Sequence, residues 1–578
     1  MTLHPHPPLA AGGPRFIPNV WDVAAFALLI GAFVLAAHGV REVLAPLAAA
    51  RPTTISLSPE VLPEYALRTT LRMFAAMAAS LAFTFSYGAL CAKSRRAERI
   101  LVPLLDILQS VPILGFLSFT VAGFVALFPG RMLGAECAAV FAIFTSQAWN
   151  MAFSFYQSLR TVPKDLDEAC RSFRLSGWQR FWRLEVPFAM PGLVWNAMMS
   201  MSGGWFFVVA SEAITVGERT IVLPGIGSYV ALAIERGNLA AVGWALAAMF
   251  LVIFAYDQLL FRPLVTWAEK FRSEQAAAEI APRSWALDLM RRARLFGILV
   301  SPLARAVRGA ASLRFGAPRA ESGQRKSLLP PRVADRLWDG CVLAVAIAAA
   351  ATIARFVAIE LPPAEIARAF GLGCLTLLRV AVLIALASLV WVPVGVWIGL
   401  RPRLACRVQP LAQFLAAFPA NLIFPLAVLG IVRFGLDPDV WLSPLMVLGT
   451  QWYILFNVVA GASAFPSDLR EAAASFRIRD RLWWRKVILP GIFPYFVTGG
   501  ITASGGSWNA SIVAEVATWG DTRLAAHGIG AYIATATQTG DTPKIVLGIA
   551  VLSLFVIVFN RLVWRPMYGF AARRLRLD

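Results

Sequence analysis

One segment of this chain is written twice. Residues 163–191 read PKDLDEACRSFRLSGWQRFWRLEVPFAMP, and residues 466–494 read PSDLREAAASFRIRDRLWWRKVILPGIFP. They align without a gap at a shift of 303 residues, pairing Pro163 with Pro466, Glu168 with Glu471, Ser172-Phe173-Arg174 with Ser475-Phe476-Arg477, and Pro187 with Pro490. The same shift pairs Trp149 with Trp452, Trp205 with Trp508, Glu212 with Glu515, and Gly225-Ile226-Gly227 with Gly528-Ile529-Gly530. Upstream the shift is 307, pairing Arg72 with Arg379 and Pro112 with Pro419. From Pro112 to Trp149 is 37 positions, but from Pro419 to Trp452 is 33, so the first copy is longer, near Phe128-Pro129-Gly130-Arg131. Such a chain folds as two related halves. In a membrane, parallel repeats are related by an axis along the normal.

The repeated segment lies between long apolar runs. Of the 578 residues, 58% are hydrophobic and only 15% are charged, where a soluble domain is about a quarter charged. Apolar runs long enough to cross hydrocarbon as helices fall near 21–40, 66–91, 100–127, 135–157, 189–212 and 239–261. A second set falls near 338–358, 373–400, 410–432, 440–461, 491–514 and 544–562. The expectation is an all-α polytopic membrane protein with about 12 transmembrane helices, arranged as two homologous six-helix halves. The run from Trp21 to Val40 lacks a clear small-residue cleavage site and reads as a retained span.

The net charge of +20 does not signal nucleic acid, because the basic blocks flank apolar spans, as cytoplasmic loops do. Lys93, Arg95, Arg96 and Arg99, their counterparts Arg401, Arg403 and Arg407, both repeated segments, and a tail with Arg573, Arg574 and Arg576 mark one side. Glu60, Glu64, Asp437 and Asp439 mark the other. Both termini are therefore expected in the cytoplasm. A connector, about 262–336, holds 15 Lys/Arg against 6 Asp/Glu. Residues 287–300 within it read as an interfacial amphipathic helix with Arg291, Arg292 and Arg294 toward headgroups. The remainder reads as a plain flexible tether. The six cysteines show no CxxC pair, and the isolated histidines His38 and His527 add nothing, so neither metal nor disulfide framework is expected.

Within the repeated loop, Asp165 and Asp468 read as helix caps, with Glu168 and Glu471 reciprocating three residues on. Ala169, Ser172 and Phe173 then share one face, as do Ala472, Ser475 and Phe476. A short helix carrying one aromatic knob among small residues is shaped to enter a groove on another protein. An ordinary capped loop helix would explain one copy. Duplication of knob and prolines in register favours docking.

This text resembles the EAA loop of binding-protein-dependent ABC importer permeases: Glu-Ala-Ala, three residues, Gly, nine residues, Ile-x-Leu-Pro. Copy two carries Glu471-Ala472-Ala473 and Val487-Ile488-Leu489-Pro490; copy one carries Glu168-Ala169-Cys170 and Leu184-Glu185-Val186-Pro187. Both have arginine, Arg174 or Arg477, where the pattern has glycine. Gly203-Gly204-Trp205, Ala210-Ser211-Glu212, Leu223-Pro224-Gly225-Ile226-Gly227 and Phe261-Arg262-Pro263 further resemble the nitrate/sulfonate/taurine subgroup. The resemblance covers roughly 66–265 and 373–568.

The resemblance implies a fold like that of type I ABC importer permeases, with both permease subunits fused, in a bacterial plasma (inner) membrane. It implies two cytoplasmic ATPase subunits, which hold ATP and Mg, and a periplasmic solute-binding protein that delivers the solute. Glu168, Ala169, Ser172, Phe173, Glu471, Ala472, Ser475 and Phe476 would couple ATPase motion to alternating access for a small anion-like solute. No G-x-x-x-x-G-K-[ST] phosphate loop occurs in the chain, which reads as a translocation subunit and not an enzyme. The chain then divides into 1–65 (first span and loop), 66–265 (permease domain 1), 266–336 (basic linker), 337–372 (span and loop), 373–568 (permease domain 2) and 569–578 (tail). A secondary transporter of two six-helix halves is the alternative. It needs charged coupling residues at mid-membrane, of which few are visible.

Polar residues within spans are costly, which makes them candidates for function. Trp205, Ser211, Glu212, Trp508, Asn509 and Glu515 are the candidates for the translocation pathway. The two glutamates fall near the outer boundary. They line an outer mouth or, the reading favoured here, pair with neighbours such as Arg219 and Arg523. Arg72 and Arg379 read as snorkelling to headgroups.

Overall fold

The computed structural model describes residues 55–110, 113–129, 131–216, 219–271, 284–292, 301–302, 305–306, 308–315, 331–463 and 465–574. The expected span at 21–40 lies outside them. Among the described residues, seven helices are long and apolar enough to cross a membrane. They are Pro59–Lys93, Gly177–Ser211 and Leu239–Ala268 in the first half, and Trp338–Glu360, Pro363–Gly399, Asp480–Ala514 and Thr542–Ala571 in the second. Two pairs, Arg403–Ala417 with Ala420–Phe434 and Pro438–Leu448 with Gln451–Ser463, qualify only as bent spans, raising the number to nine. The chain is thus an all-α polytopic membrane protein of two halves.

The runs expected at 100–127 and 135–157 also form helices, namely Arg95–Ser110, Ile113–Leu127 and Leu133–Arg160, but are not among those seven or nine. The first two are each too short alone. The third is diluted by Glu136, Gln147 and Asn150.

The duplication extends to irregularities of the backbone. Wide, π-type turns occur at Phe181–Glu185 and at its register mate Trp484–Ile488, and again at Asp257–Phe261 and Asn560–Trp564. Each precedes one of the matched prolines: Pro187, Pro490, Pro263 or Pro566. Proline lacks an N–H and crowds the carbonyl four residues back, and a one-residue widening of the turn relieves both. Helix packing repeats as well. A Cβ on Gly88 would lie 2.7 Å from Phe155, and one on its mate Gly395 would lie 2.8 Å from Val458. Small residues let these neighbouring helices approach closely, as helices in a bilayer must when packing is what holds them together.

Two short antiparallel hairpins interrupt the helical pattern. One pairs Ala213–Val216 with Arg219–Val222, the other Val516–Trp519 with Thr522–Ala525. The second turns at Gly520, whose φ of 54° suits glycine. The N–H of Gly520 also donates to the carbonyl of Ile234, 2.8 Å away in the other half. Each hairpin follows the end of a long helix, Val186–Ser211 or Leu489–Ala514, opposite the repeated loop.

The connector is more than a tether where it is described. A helix spans Trp285–Arg292, beginning two residues ahead of the expected one, and residues 293–300 lie outside the described set. The Trp285 indole donates to Gln258 Oε1 at 3.1 Å. Further on, the Trp178 indole donates to the carbonyl of Ala310 (2.8 Å), Gln179 Nε2 donates to that of Ser312 (2.8 Å), and the Trp178 ring meets Phe315 edge-on. The connector is therefore strapped to the first repeated loop. The register mates Arg481 and Leu482 in the second loop are exposed. Trp178→Ala removes one hydrogen bond and one ring contact. It should speed protease cleavage within 308–315 about tenfold, read by limited proteolysis of the purified protein. An unchanged cleavage rate would show that the strap does not hold.

Candidate functional site

Three features carry chemistry: the repeated loops at one end of the long helices, two charge clusters near the other end, and a cavity between the halves. In each loop a nine-residue helix, Lys164–Ser172 or Ser467–Ser475, starts after a proline, Pro163 or Pro466. No side chain caps either N-terminus, so the expected Asp165 and Asp468 caps are corrected. Both aspartates stand within the first turn, where their charge favours the helix dipole.

The C-termini explain how the loop turns without the expected glycine. Arg174 and Arg477 adopt left-handed backbones, with φ of 49° and 53°. The N–H of Leu175 reaches the carbonyl of Cys170 (3.1 Å) and that of Arg174 reaches Arg171 (2.9 Å). In copy two Ile478 reaches Ala473 (2.9 Å) and Arg477 reaches Ala474 (3.0 Å). This is the Schellman closure usually made by glycine, here made by arginine. Glu168, Ala169, Ser172, Phe173, Glu471, Ala472, Ser475 and Phe476 are all exposed, and Phe173 and Phe476 match at 78% and 79%.

The loops differ in how they are braced. Asp167 pairs with Arg180 (2.6 Å), Arg180 with Glu185 (3.1 Å) and Glu185 with Lys93 (2.9 Å), tying the first loop to the end of a spanning helix. Their mates at a shift of 303 are Arg470, Trp483 and Ile488, which cannot form that chain of charges.

At the far end, Arg72 is buried, not snorkelling. Its Nε and Nη2 bond both oxygens of Glu136 at 2.6 Å, and Nη1 bonds Glu212 Oε1 at 2.7 Å and the carbonyl of Pro224 at 2.9 Å. Glu212 also accepts from Thr69 Oγ1 and from the N–H of Gly227, each at 2.7 Å. The second half repeats the plan. Arg379 bonds Asp439 (2.8 Å), Glu515 (3.4 Å) and the carbonyl of His527 (2.8 Å), while Thr376 and the N–H of Ala531 donate to Glu515. Glu212 pairs with Arg72, and Glu515 pairs with Arg379 while the expected Arg523 bonds Thr535; the Arg219 side chain lies outside the described set. His527 is not isolated either: its Nδ1 lies 2.8 Å from Asp439 Oδ2. The glycines of the Leu-Pro-Gly-Ile-Gly text now have a cause. A Cβ on Gly225 would lie 2.3 Å from the Glu212 carboxylate, and one on Gly528 2.2 Å from Glu515.

Between the halves lies a cavity of about 200 Å³. Its wall includes Trp149, Asn150, Gly203, Phe206, Tyr453 and Asn509, and among the described residues no Lys, Arg, Asp or Glu lines it. Of the pathway candidates only Asn509 lines it. The Asn509 Oδ1 accepts from the N–H of Ile113 across the halves at 2.7 Å. Trp205 and Trp508 are buried against Tyr256 and Phe559, and Ser211, Glu212 and Glu515 are wholly buried. Sequence reasoning missed Thr69, Thr376, Glu136, Asp439 and Tyr453. The signal for the first four was present: Thr69 matches Thr376 at a shift of 307 and Glu136 matches Asp439 at 303.

The model of the family "binding-protein-dependent transport system inner membrane component" matches residues 84–262 and again 391–575. The chain belongs to this family. It carries the family domain twice, in the two halves already marked by the repeat. It is 30% identical over 189 residues to the bicarbonate transport system permease protein of Synechococcus elongatus, covering 32% of this chain and 64% of that one. The chain thus spans less than two thirds of that relative. It is 28% identical over 203 residues to the nitrate import permease protein of Leptolyngbya laminosa, 35% of this chain and 67% of the relative. It is also 30% identical over 192 residues to the glycine betaine/carnitine transport permease protein of Listeria monocytogenes, 32% and 60% of the two chains.

For this membrane protein, the charge clusters set a stability test. Arg72→Met leaves two carboxylates unpaired and should destabilise the fold by about 3–5 kcal/mol. Arg523→Ala removes an exposed guanidinium that bonds Thr535 and should cost less than about 0.5 kcal/mol. Thermal unfolding in detergent separates the two; equal effects would contradict the assignment of Arg72 as the partner of both glutamates. A second test concerns the loops. Arg174→Gly should stabilise the protein by up to about 1 kcal/mol, since glycine adopts the left-handed conformation without steric cost. A clear loss of melting temperature would contradict it.

Proposed function

We propose that the chain is the translocation subunit of an ATP-driven importer and forms the whole pathway for a small anion by alternating access. Two ATPase subunits, carrying ATP and Mg, dock on residues 165–176 and 468–479. A solute-binding protein delivers the solute to the other side of a bacterial plasma membrane, with both termini cytoplasmic. The division into permease domains at 66–265 and 373–568, joined by the linker 266–336, belongs to the same reading.

One observation carries it. Phe173 and Phe476 are exposed to the same extent on register-matched helices, each closed by the same left-handed arginine turn. A large apolar ring held in water at two equivalent places is a docking surface awaiting partners, and two places call for two. From these helices the chain runs through a wide turn directly into the long helices Val186–Ser211 and Leu489–Ala514. Push or pull on the loops therefore reaches the cavity wall, to which those helices contribute Gly203 and Asn509. The uncharged wall supports this reading over a secondary transporter. Coupling to an ion gradient needs a titratable or ion-binding group in the pathway, and the charges of the two clusters are paired with one another and do not line the cavity.

Phe173→Asp combined with Phe476→Asp should weaken ATPase docking at each loop by about 30-fold or more, the loss expected for a buried aromatic anchor. Membrane insertion should be unchanged. Co-purification of the ATPase subunits with the tagged permease reads the result, and undiminished docking would rule out the two rings as anchors. Solute uptake that persists without any ATPase would sink the importer reading itself.

A further inference from the structure

The cavity is symmetric in its backbone and asymmetric in its chemistry. Its wall carries Asn150 where the other half has Tyr453, Phe206 where the other has Asn509, and Met199 where the other has Thr502. A cavity built from two identical subunits would present every group twice, whereas the fused chain presents each of these once. The wall can therefore hold a solute in one orientation.

The donors decide what that solute offers. Most polar groups on the wall are already committed. Thr145, Ser146, Ser202 and Thr502 donate to carbonyls of their own helices, Ala142, Ile143, Met198 and Thr498. The Asn509 amide donates to Gly505 and accepts from Ile113, and Asn150 donates to Ser200. Two of the remaining donors are aromatic. Tyr453 and Trp149 line the cavity, and neither the Tyr453 hydroxyl nor the Trp149 indole N–H donates to an acceptor among the described residues; the Gln109 amide and the Ser200 hydroxyl are the others. The Tyr453 hydroxyl faces Gly203, whose missing side chain leaves it room: a Cβ there would come within 3.3 Å of it. Trp149 is held edge-on by Phe83 and Phe144. Its register mate Trp452 lies off the cavity wall, against Trp391.

Resting on the importer reading above, we infer that Tyr453 and Trp149 are specificity-determining residues that hold a small oxoanion in the cavity by neutral hydrogen bonds. Acceptor-rich oxygens complement two donors that have nothing else to bond. An acidic wall would repel the anion, and a basic wall would trap it; a neutral wall holds it weakly enough to be released. Tyr453 carries the larger part, because it is the more buried of the two residues.

The test uses the full complex of permease, ATPase and binding protein in proteoliposomes, with nitrate, bicarbonate and taurine as probes. Tyr453→Phe deletes one oxygen and keeps the ring. It should lower the amount of the transported probe moved per ATP hydrolysed by about tenfold, as for one lost hydrogen bond to a charged group. ATPase rate and complex assembly should be unchanged. Gly203→Ala, which crowds the hydroxyl, should act in the same direction. Trp149→Phe should lower the ratio, and Trp452→Phe should leave it unchanged. ATP-dependent uptake that is equally efficient in Tyr453→Phe and in the unaltered protein overturns this inference alone. A complex that moves none of the three probes on ATP overturns both this inference and the small-anion reading.

Discussion

An arginine shared between two carboxylates, buried in the first half and partly buried in the second, is the interaction on which each half depends. Burying one ion is expensive, and burying three is tolerable only when the geometry is nearly saturated. In the first half it is: Arg72 makes four hydrogen bonds, two of them a bidentate grip on Glu136. This requirement joins four pieces of chain. The helix with Thr69 and Arg72, the start of the helix with Glu136, the end of the helix before Glu212, and the turn Pro224-Gly225-Ile226-Gly227 must all meet at one point. The glycines follow from the charges, since a methyl group on Gly225 would overlap the carboxylate it encloses. Removing either the arginine or the space for the carboxylate leaves a charge inside the protein without a partner.

The second half keeps this plan but loosens it. Asp439 is one methylene shorter than Glu136, and Arg379 lies 3.4 Å from Glu515 where Arg72 lies 2.7 Å from Glu212. His527 replaces Pro224 and adds its own contact to Asp439. At the opposite end the asymmetry is of another kind. The first loop is braced by the charges of Asp167, Arg180, Glu185 and Lys93 and by the strapped connector; the second has Arg470, Trp483 and Ile488 at the corresponding positions. Fusion permits this. Two halves on one chain vary independently, so backbone symmetry survives where side-chain symmetry does not.

Much of this was legible in the text, and the failures share a cause. The repeat, the shift of 303, the spanning helices and the exposed knobs Phe173 and Phe476 followed from spacing and periodicity, which are local. Partner choice was not local. Glu515 has Arg523 eight positions away, yet its partner is Arg379, 136 positions away. Arg379 sits near the start of an apolar run, where snorkelling is the usual outcome, but a carboxylate from a distant helix claims it. The hairpins at 213–222 and 516–525 left a faint mark in their alternating β-branched residues and in Gly520-Asp521. Such segments are too short to stand out against long helices.

The sequence by itself determined that the chain lies in a membrane, that it is two copies of one unit, and that each copy presents an aromatic ring on a short loop helix. These properties depend on hydrophobic runs, on register and on residue type, all of which survive being read one residue at a time. Only the tertiary structure decided where charge and polarity go. It sequestered the glutamates and tryptophans expected in the pathway, and it brought Tyr453 and Asn150, matched in register but unlike in chemistry, to one uncharged wall. The reason is that burial in a membrane protein is set by neighbouring helices as much as by the lipid. Those neighbours are chosen by contacts between residues far apart in the chain.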